Sequence, residues 1–363
     1  MPRLGEVFSF GMTAPSDMSA LIAAIAEGRI DPVAVVCIYV KTEGNGQDND
    51  FSRDVAAMTL QGIFSRYGAA PVLIASGGCE GVLSPHYIVV QRRDVQDAQT
   101  DDTRALAVGH ARTRLLAPEE IGTLGQVRAT AEAVETAMQD AGMTAADVAF
   151  VQIKAALLTD AAIADAMGRK VEVRAIRPHA SKPLTRAACA IGVAAALGEV
   201  DMAGLNDASL EDGRLQTSRA IVTPGNTDMR CDIIVFGHAS GWIGPHRVGA
   251  TALQDLIDLK SATGLLRRLG FTPDPQLAVT ESTRIDGVLF KGDPPAAEVI
   301  RGRRHVIWRD SDIQPPRHVR AAVGGMLSSL LGNTRVFCAG GAEHQGPEGG
   351  GVLVVFSREA SNA

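Results

Sequence analysis

The chain has few of the residues that mark several common classes of protein. Its five cysteines are an odd number and form no CxxC motif, so the sequence predicts neither a disulfide framework nor a zinc site. Aromatic residues make up only 4% of the chain, and its 35 lysines and arginines are outnumbered by 41 aspartates and glutamates. The resulting charge of −6 disfavours nucleic acids and anionic membranes, which attract positive surfaces. We therefore expect no nucleic-acid partner and no membrane partner.

Long hydrophobic runs are also missing. The most apolar segment, AACAIGVAAAL (187–197), is much shorter than the roughly 20 residues that cross a bilayer. The first residues, MPRLGEVFSFGM, lack the charged start and long apolar core of a signal peptide. With 363 residues, 46% of them apolar, the chain is long enough for two or three units with a substantial core. The sequence predicts a soluble, cytoplasmic protein.

Glycine, in contrast, is abundant and clustered. The chain has 38 glycines, and they gather after apolar runs at 43–46, 76–81 and 340–351. Two of these turns share a pattern, because SGGCE follows one strand-like run and AGGAE follows another more than 260 positions later. Glycine at such turns permits positive φ and lets a ligand approach backbone N–H groups. The repetition indicates more than ordinary turn formation.

The same order of elements occurs three times along the chain. Each copy has a strand that ends in a lysine, a helix that carries an arginine near its start, and a second strand that leads into a turn. The lysine strands are VCIYVKTEG (36–44), FVQIKAALL (150–158) and GVLFKGDPP (287–295). Strands that alternate with helices predict an α/β fold of three structurally similar repeat units, placed at 1–103, 108–250 and 254–363. Around a pseudo-threefold axis, such units would direct three lysines and three arginines into one central cavity.

Long motifs carry a resemblance to a known family. KTEGNG with NDFSR, SGGCEGVLSPH, FVQIK and GGAEHQGPEGGG run from residue 41 to residue 351. Together they resemble the cyanuric acid amidohydrolase and barbiturase family, the ring-opening cyclic amide hydrolases. The resemblance implies three α/β repeat units around a pseudo-threefold axis, which is a Toblerone-like fold with one central active site. It also implies a homotetramer that hydrolyses a small cyclic amide or imide substrate.

The resemblance also implies the residues of the site. Lys154 and Thr223 occupy the catalytic positions, where a lysine of lowered pKa takes the proton of a hydroxyl nucleophile. The positions implied for substrate binding are Lys41, Arg53, Ser76, Gly77, Arg186, Lys291, Arg317, Ala339 and Gly340. Arg320 is a nearby alternative to Arg317.

Two of the three turns depart from the family pattern. Ala339 stands where the family has a serine, and Thr223 replaces the serine of the second turn. Pro224 follows it and has no N–H to donate. Three hypotheses stay open: Thr223 is the nucleophile, the chemistry has moved to Ser76 and Lys41, or the protein binds a planar cyclic ligand without opening it. Because two ring-binding donors are lost, we expect cyanuric acid and barbituric acid to be poor substrates.

The glycine-rich segment near the end resembles the metal loop of the family. Backbone carbonyls and one carboxylate suit a hard structural ion, which we expect to be Mg²⁺ or Ca²⁺, or else Na⁺. The predicted ligands are Asp293, Ala342, Gln345, Gly346, Pro347 and Gly350. Glu298 is the alternative to Asp293 as the acid. No organic cofactor is expected.

Overall fold

The fold is of the α/β class, as predicted. A computed structural model describes residues 1–47, 49–96 and 104–360. The chain forms two compact units. The first consists of Met1–Leu106, Ser240–Gly340 and Glu348–Ala363, and the second of Ala107–Ala239 and Gly341–Pro347. None of the helices in the described part of the chain is long and apolar enough to cross a membrane.

The first sheet has the strand order β3-β2-β4-β1-β9. Its strands are β1 (Arg3–Gly11), β2 (Val35–Lys41), β3 (Val72–Ser76), β4 (His86–Asp94) and the two-residue β9 (Trp242–Ile243). The helices of this segment are α1 (Ser19–Ala26) and α2 (Ser52–Phe64). Leu21 of α1 and Leu60 of α2 are fully buried and pack with Ile38 and Val40 of β2 in one hydrophobic cluster. Each such side chain contributes about 1.5–3 kcal/mol by leaving water.

The second sheet has the order β5-β8-β6-β7. Its strands are β5 (Ala105–Arg112), β6 (Val148–Ala156), β7 (Ala220–Asn226) and β8 (Asp232–Ala239), and its helices are α3 (Leu124–Ala141), α4 (Asp160–Gly168) and α5 (Pro178–Ala196). The small apolar residues of α5 are buried. A Cβ at Gly192 would lie 2.7 Å from the Thr130 Cβ of α3, so glycine lets the two helices pack closely.

The third sheet has the order β10-β15-β11-β14 and belongs to the first compact unit. Its strands are β10 (His246–Leu253), β11 (Ile285–Gly292), β14 (Phe337–Ala339) and β15 (Gly351–Arg358). The helices are α6 (Leu259–Arg268), α7 (Val279–Ser282) and α8 (Pro315–Leu331), and a small hairpin joins β12 (Val299–Ile300) to β13 (Arg303–Arg304). Val319, Val323 and Leu327 of α8 are buried in the core with Val288 and Phe290 of β11.

One strand arrangement occurs in all three sheets. The strand that ends in or near a lysine (β2, β6 or β11, the lysine strand) lies between a parallel strand and an antiparallel strand. The parallel neighbour (β3, β7 or β14, the turn strand) leads into the glycine turn. This repeated order agrees with the repetition seen in the sequence. The predicted unit boundaries and the pseudo-threefold axis stay predictions.

Candidate active site

Each lysine has the same position in its sheet. Lys41 is opposite Ser76, Lys154 is opposite Thr223, and Lys291 is opposite Ala339. Directly paired residues of neighbouring strands point to the same face of a sheet. Each lysine side chain therefore lies on the same face of its sheet as the first residue of a turn, and two of these turns begin with a hydroxyl.

Lys41 makes a complete set of hydrogen bonds. Its side chain is fully buried, and Nζ lies 3.2 Å from Ser76 Oγ, 2.7 Å from the Gly77 carbonyl oxygen and 2.5 Å from the Cys338 carbonyl oxygen. Burial, reinforced by the nearby Arg320 guanidinium, lowers the pKa of Lys41 from 10.5 to about 8. A lysine with such a pKa is partly neutral near physiological pH and can act as a base.

The second turn is shaped around Lys154. Gly225 has a φ of +147°, and a Cβ on it would lie only 2.8 Å from Lys154 Nζ. Glycine at 225 therefore leaves the space that the amine occupies. Thr223 Oγ1 accepts a long hydrogen bond of 3.5 Å from Gln152 Nε2. Gln152 is two positions before Lys154 on the same strand. Pro224 continues β7 without contributing an N–H.

The third turn has no hydroxyl. Lys291 is 3% exposed and is opposite Ala339, which is also buried. A Cβ on Gly340, the next residue, would lie 3.6 Å from Asp293 Oδ1, so this glycine lies close to the acid that follows the lysine strand. A lysine is thus opposite the first turn residue in all three sheets, whereas that turn residue carries a hydroxyl in only two of them.

A buried carboxylate holds the arginines of α8. Arg320 Nε donates to Glu80 Oε2 at 2.7 Å, and Arg320 Nη2 donates to Glu80 Oε1 at 2.8 Å. Arg317 Nε reaches the same Oε1 at 3.1 Å from a more exposed position. Gly78 lies against this pair, because at its φ of +85° a Cβ would be 2.7 Å from Arg320 Nη2. Arg320, the alternative in the sequence prediction, is therefore the arginine fixed by two hydrogen bonds.

The same combination occurs at the third turn. Arg186 of α5 donates through Nε and Nη2 to the two carboxylate oxygens of Glu343, the second bond being 2.7 Å long. Gly341 has a φ of +77°, and a Cβ there would lie 2.6 Å from Arg186 Cζ. Glu80 comes four residues after Ser76, and Glu343 comes four residues after Ala339. A turn residue, a glycine of positive φ, a carboxylate and a clamped arginine thus form one repeated motif.

Arg53 is held differently. Its Nη2 donates to the Gln47 carbonyl oxygen at 2.5 Å and its Nε to the Asp50 carbonyl oxygen at 3.4 Å. The Asp50 carboxylate is 3.9 Å away and accepts shorter hydrogen bonds from Gly46 and Ser52. Arg53, Arg186 and Arg320 are thus all fixed through Nε and Nη2. In each of them Nη1 has no hydrogen-bond partner among the residues that the structure describes, and it can donate to a ligand.

Comparison with known proteins identifies the family. The family described as "Amidohydrolase ring-opening protein" matches residues 6–358. The chain belongs to this family. A cyanuric acid amidohydrolase of Methylobacterium sp. (strain 4-46) is 40% identical over 371 residues, which cover 100% of this chain and 99% of that protein. Another, from Ectopseudomonas oleovorans (strain CECT 5344), is 41% identical over 356 residues, or 96% of this chain and 97% of that protein.

Solved structures of the ring-opening amidohydrolase family have the same fold. One cyanuric acid hydrolase matches with a TM-score of 0.89 at 36% identity, covering 99% of this chain and 100% of its own. The cyanuric acid hydrolase of A. caulinodans matches with a TM-score of 0.86 at 38% identity and the same coverage. The match extends over whole chains, so it includes all three lysine strands and their turns. The chain is accordingly a ring-opening amidohydrolase that acts on C–N bonds of cyclic amides.

The predicted metal loop is an ordered turn. Gln345 N donates to the Ala342 carbonyl oxygen at 2.8 Å, and Gln345 Oε1 accepts from Val222 N at 2.7 Å. His344 directs both ring nitrogens at backbone carbonyls, those of Leu215 and Leu210, and is not oriented as a metal ligand. Within the described ranges, no group of three or more His, Cys, Asp or Glu side chains could hold a metal ion. The site made mainly of backbone carbonyls stays a prediction.

The two candidate acids for this loop differ in their surroundings. Glu298 Oε2 accepts a hydrogen bond of 2.8 Å from Arg309 Nε and lies 3.8 Å from Arg304 Nε, next to the β12–β13 hairpin. Asp293 lies directly after β11 and close to Gly340. Asp293 thus lies beside Gly340, whereas Glu298 is paired with arginines of the hairpin; which of them is the metal ligand stays a prediction.

Sequence reasoning misses the role of Glu80 and Glu343. The motifs alone give neither acid a role beyond its place in a repeated turn. The signal is present, because both acids occupy the fifth position of the repeated SGGCE and AGGAE turns. The second turn has Thr227 at that position instead. The recurrence marks both acids as candidate site residues, but it does not indicate which arginine each of them binds.

Proposed function

We propose that this protein opens the ring of a cyclic amide or imide by hydrolysis, using a hydroxyl nucleophile that a lysine activates. The observation that carries the proposal is the repeated register, which puts Lys154 opposite Thr223 and Lys41 opposite Ser76. The family resemblance favours Lys154 as the base and Thr223 as the nucleophile. Lys41 and Ser76 are assigned to substrate binding, and they are the alternative catalytic pair.

The reaction proceeds through a covalent ester. Thr223 Oγ1 attacks a ring carbonyl carbon while its proton passes to Lys154 Nζ. The ring C–N bond then breaks, and the leaving nitrogen takes the proton from Lys154. Water attacks the resulting ester, releases a carboxylate and restores the threonine hydroxyl. The β-branched side chain restricts χ1, so β7 must hold Thr223 at the correct angle of attack.

The clamped arginines supply donors for the ring carbonyls. In Arg53, Arg186 and Arg320 the Nε and Nη2 edge is occupied, so Nη1 is the group that each can offer to a substrate. A guanidinium fixed in this way loses little conformational entropy on binding. We propose that the three repeat units bring these groups to one active site around a pseudo-threefold axis, and that the protein is a homotetramer. The repeated strand order and the full-length family match support this arrangement.

The substrate is proposed to be less symmetric than cyanuric acid. Ala339 cannot donate from a side chain, and Pro224 cannot donate from its backbone. Loss of one such donor costs about 3 kcal/mol in enzymes where it contacts the developing oxyanion. A ring with a full set of carbonyls would leave some of them unpaired here, whereas a partly apolar ring would not. The named relatives act on cyanuric acid, and this chain is proposed to differ from them in that respect.

We also propose a structural cation at the C-terminal loop. Its ligands would be Asp293, Ala342, Gln345, Gly346, Pro347 and Gly350. Backbone carbonyls with a single carboxylate suit Mg²⁺ or Ca²⁺, and with weaker binding Na⁺. The ion would fix the loop that carries Glu343 and would take no direct part in the chemistry.

A substrate panel tests the proposed function. Cyclic imides, hydantoins, pyrimidinediones and lactams, together with cyanuric and barbituric acids, are incubated with the enzyme and followed by loss of ring absorbance and by product mass. We expect the enzyme to hydrolyse at least one of the rings that are less symmetric than cyanuric acid, so that the mass of the product exceeds that of the ring by one water. For cyanuric and barbituric acids we expect kcat/KM well below about 10⁴ M⁻¹s⁻¹. Efficient turnover of either acid would contradict the substrate proposal, and binding without any ring opening would favour the alternative of a catalytically impaired binding protein.

A further inference from the structure

The hydrogen bonds of Lys41 distinguish its two protonation states. A neutral amine has two N–H donors and one lone pair, and Lys41 Nζ has two carbonyl acceptors and one hydroxyl around it. In the neutral state the two carbonyls of Gly77 and Cys338 take the N–H groups, and the lone pair accepts from Ser76 O–H. In the charged state the third N–H donates to Ser76 Oγ instead. The charge of Lys41 therefore decides whether Ser76 has a base.

Charged and titratable groups surround Lys41 on several sides. Arg320 of α8 disfavours its protonation, whereas Glu80, Cys79 and Cys338 favour it. His86 is opposite Lys41 on β4 and is itself kept neutral by burial. The Phe337 ring, centred 5.8 Å from Nζ, adds a weak preference for the cation. Arg320 and Glu80 are the two full charges in this set, and they are bound to each other.

We propose that Glu80 is a positioning residue which, through its bidentate pair with Arg320, sets the charge of Lys41 and makes Ser76 a second activated hydroxyl. Glu80 and Arg320 are 7% and 5% exposed, so water screens the pair little. Glu80 compensates the positive charge of Arg320 beside Lys41. Without that compensation the ammonium would be repelled more strongly, and without Arg320 the carboxylate would attract it.

The inference rests on the proposed function only in treating Lys41 as one of the lysines of the site. It predicts a chemical reactivity of Ser76 that can be measured with 4-nitrophenyl acetate, whatever the natural substrate is. Ser76 Oγ attacks the acetyl carbon, its proton passes to Lys41 Nζ, and 4-nitrophenolate leaves. The product is an acetyl ester on Ser76, found by mass spectrometry of the peptide that contains it.

The test is the pH profile of Ser76 acetylation in wild type and in paired variants. For wild type we expect a midpoint near the Lys41 pKa of about 8. Arg320→Gln should move the midpoint up by about one pH unit, and Glu80→Gln should move it down by less, because Glu80 affects Lys41 less than Arg320 does. A shift of one pH unit corresponds to about a tenfold change in rate at a fixed pH well below the midpoint. A loosened turn would slow both variants without moving their midpoints in opposite directions.

Conservative variants separate charge from shape. Glu80→Asp and Arg320→Lys keep the charges and should keep the midpoint, even where they lower the rate. They also keep the test decisive if Arg320→Gln does not fold. Lys41→Met should remove the pH dependence together with the acetylation. Glu120→Gln, at the surface pair with Arg114, is the matched control and should leave the profile unchanged.

Two outcomes overturn the inference. One is that Ser76 is not acetylated at any value between about pH 6 and 10, the range in which a perturbed lysine titrates. The other is that wild type, Glu80→Gln and Arg320→Gln share one midpoint. Neither outcome depends on the substrate panel. Ser76 acetylation without ring opening would instead support the inference and leave the proposed function without support.

Discussion

Gly341 lies against the guanidinium of Arg186 so closely that a Cβ would be 2.6 Å from Cζ. Arg186 is held there by both oxygens of Glu343. The glycine is thus required by a neighbour as well as by its own φ of +77°. The same relation joins Gly78 to Arg320 at the first turn.

Replacing Gly341 by alanine should destabilise the protein for both reasons. The left-handed conformation costs about 1–2 kcal/mol for a residue with a Cβ, and displacing the partly buried guanidinium adds about 1–3 kcal/mol. Gly198→Ala is the matched control, because Gly198 has a φ of +71° and a methyl group on it would meet no atom within 4 Å. Unfolding by urea should show a larger loss for Gly341→Ala. Equal losses would mean that Arg186 moves aside without cost.

Thr223→Val should abolish turnover of any substrate that the panel identifies. Valine keeps the shape of threonine but has no hydroxyl, so kcat should fall at least about a thousandfold while ligand affinity stays nearly unchanged. Ser76→Ala removes one hydrogen bond and should weaken binding roughly tenfold. Single-turnover kinetics and calorimetric binding measure the two effects. If Ser76→Ala stops the reaction and Thr223→Val does not, the catalytic pair is Ser76 and Lys41.

His86 should make stability depend on pH below neutrality. Burial lowers the pKa of His86 from 6.5 to about 4, helped by the charges of Lys41 and Arg335. The unfolded chain then binds more protons than the folded one between these values, so stability falls as pH decreases from about 6.5 towards 4, by up to about 3 kcal/mol. Over the same pH range, the free energy of unfolding of His86→Leu should decrease by about 3 kcal/mol less than that of wild type. Parallel curves of unfolding free energy against pH for the two proteins would contradict the prediction.

Removal of a bound cation should lower the thermal stability. If Mg²⁺ or Ca²⁺ occupies the C-terminal loop, a chelator should lower the Tm, and adding back the metal at about 100 times its Kd should restore about 2.7 kcal/mol. Asp293→Asn should abolish this response, whereas Glu298→Gln should retain it. A chelator effect that persists in Asp293→Asn but not in Glu298→Gln would assign the ligand to Glu298. A Tm that never responds to chelator would exclude a structural divalent ion.

The sequence alone determined the α/β class and the family. Strand and helix periodicities depend on local spacing, and motifs such as SGGCEGVLSPH and GGAEHQGP are contiguous in the chain. The recurrence of a lysine at each strand end is likewise visible without a structure. These features could be predicted because the residues that define them are neighbours in sequence.

Only the tertiary structure decided which groups meet. Glu80 and Arg320 are 240 positions apart and Glu343 and Arg186 are 157 apart, so no local pattern indicates that they are bonded. The sequence likewise does not show that Arg320 reaches both oxygens of Glu80 whereas Arg317 reaches one. The lowered pKa of Lys41 follows from complete burial and from Arg320, a residue far from it in the sequence that only the fold brings near. Charge interactions depend on distance in space, and the sequence specifies that distance only through the folded chain.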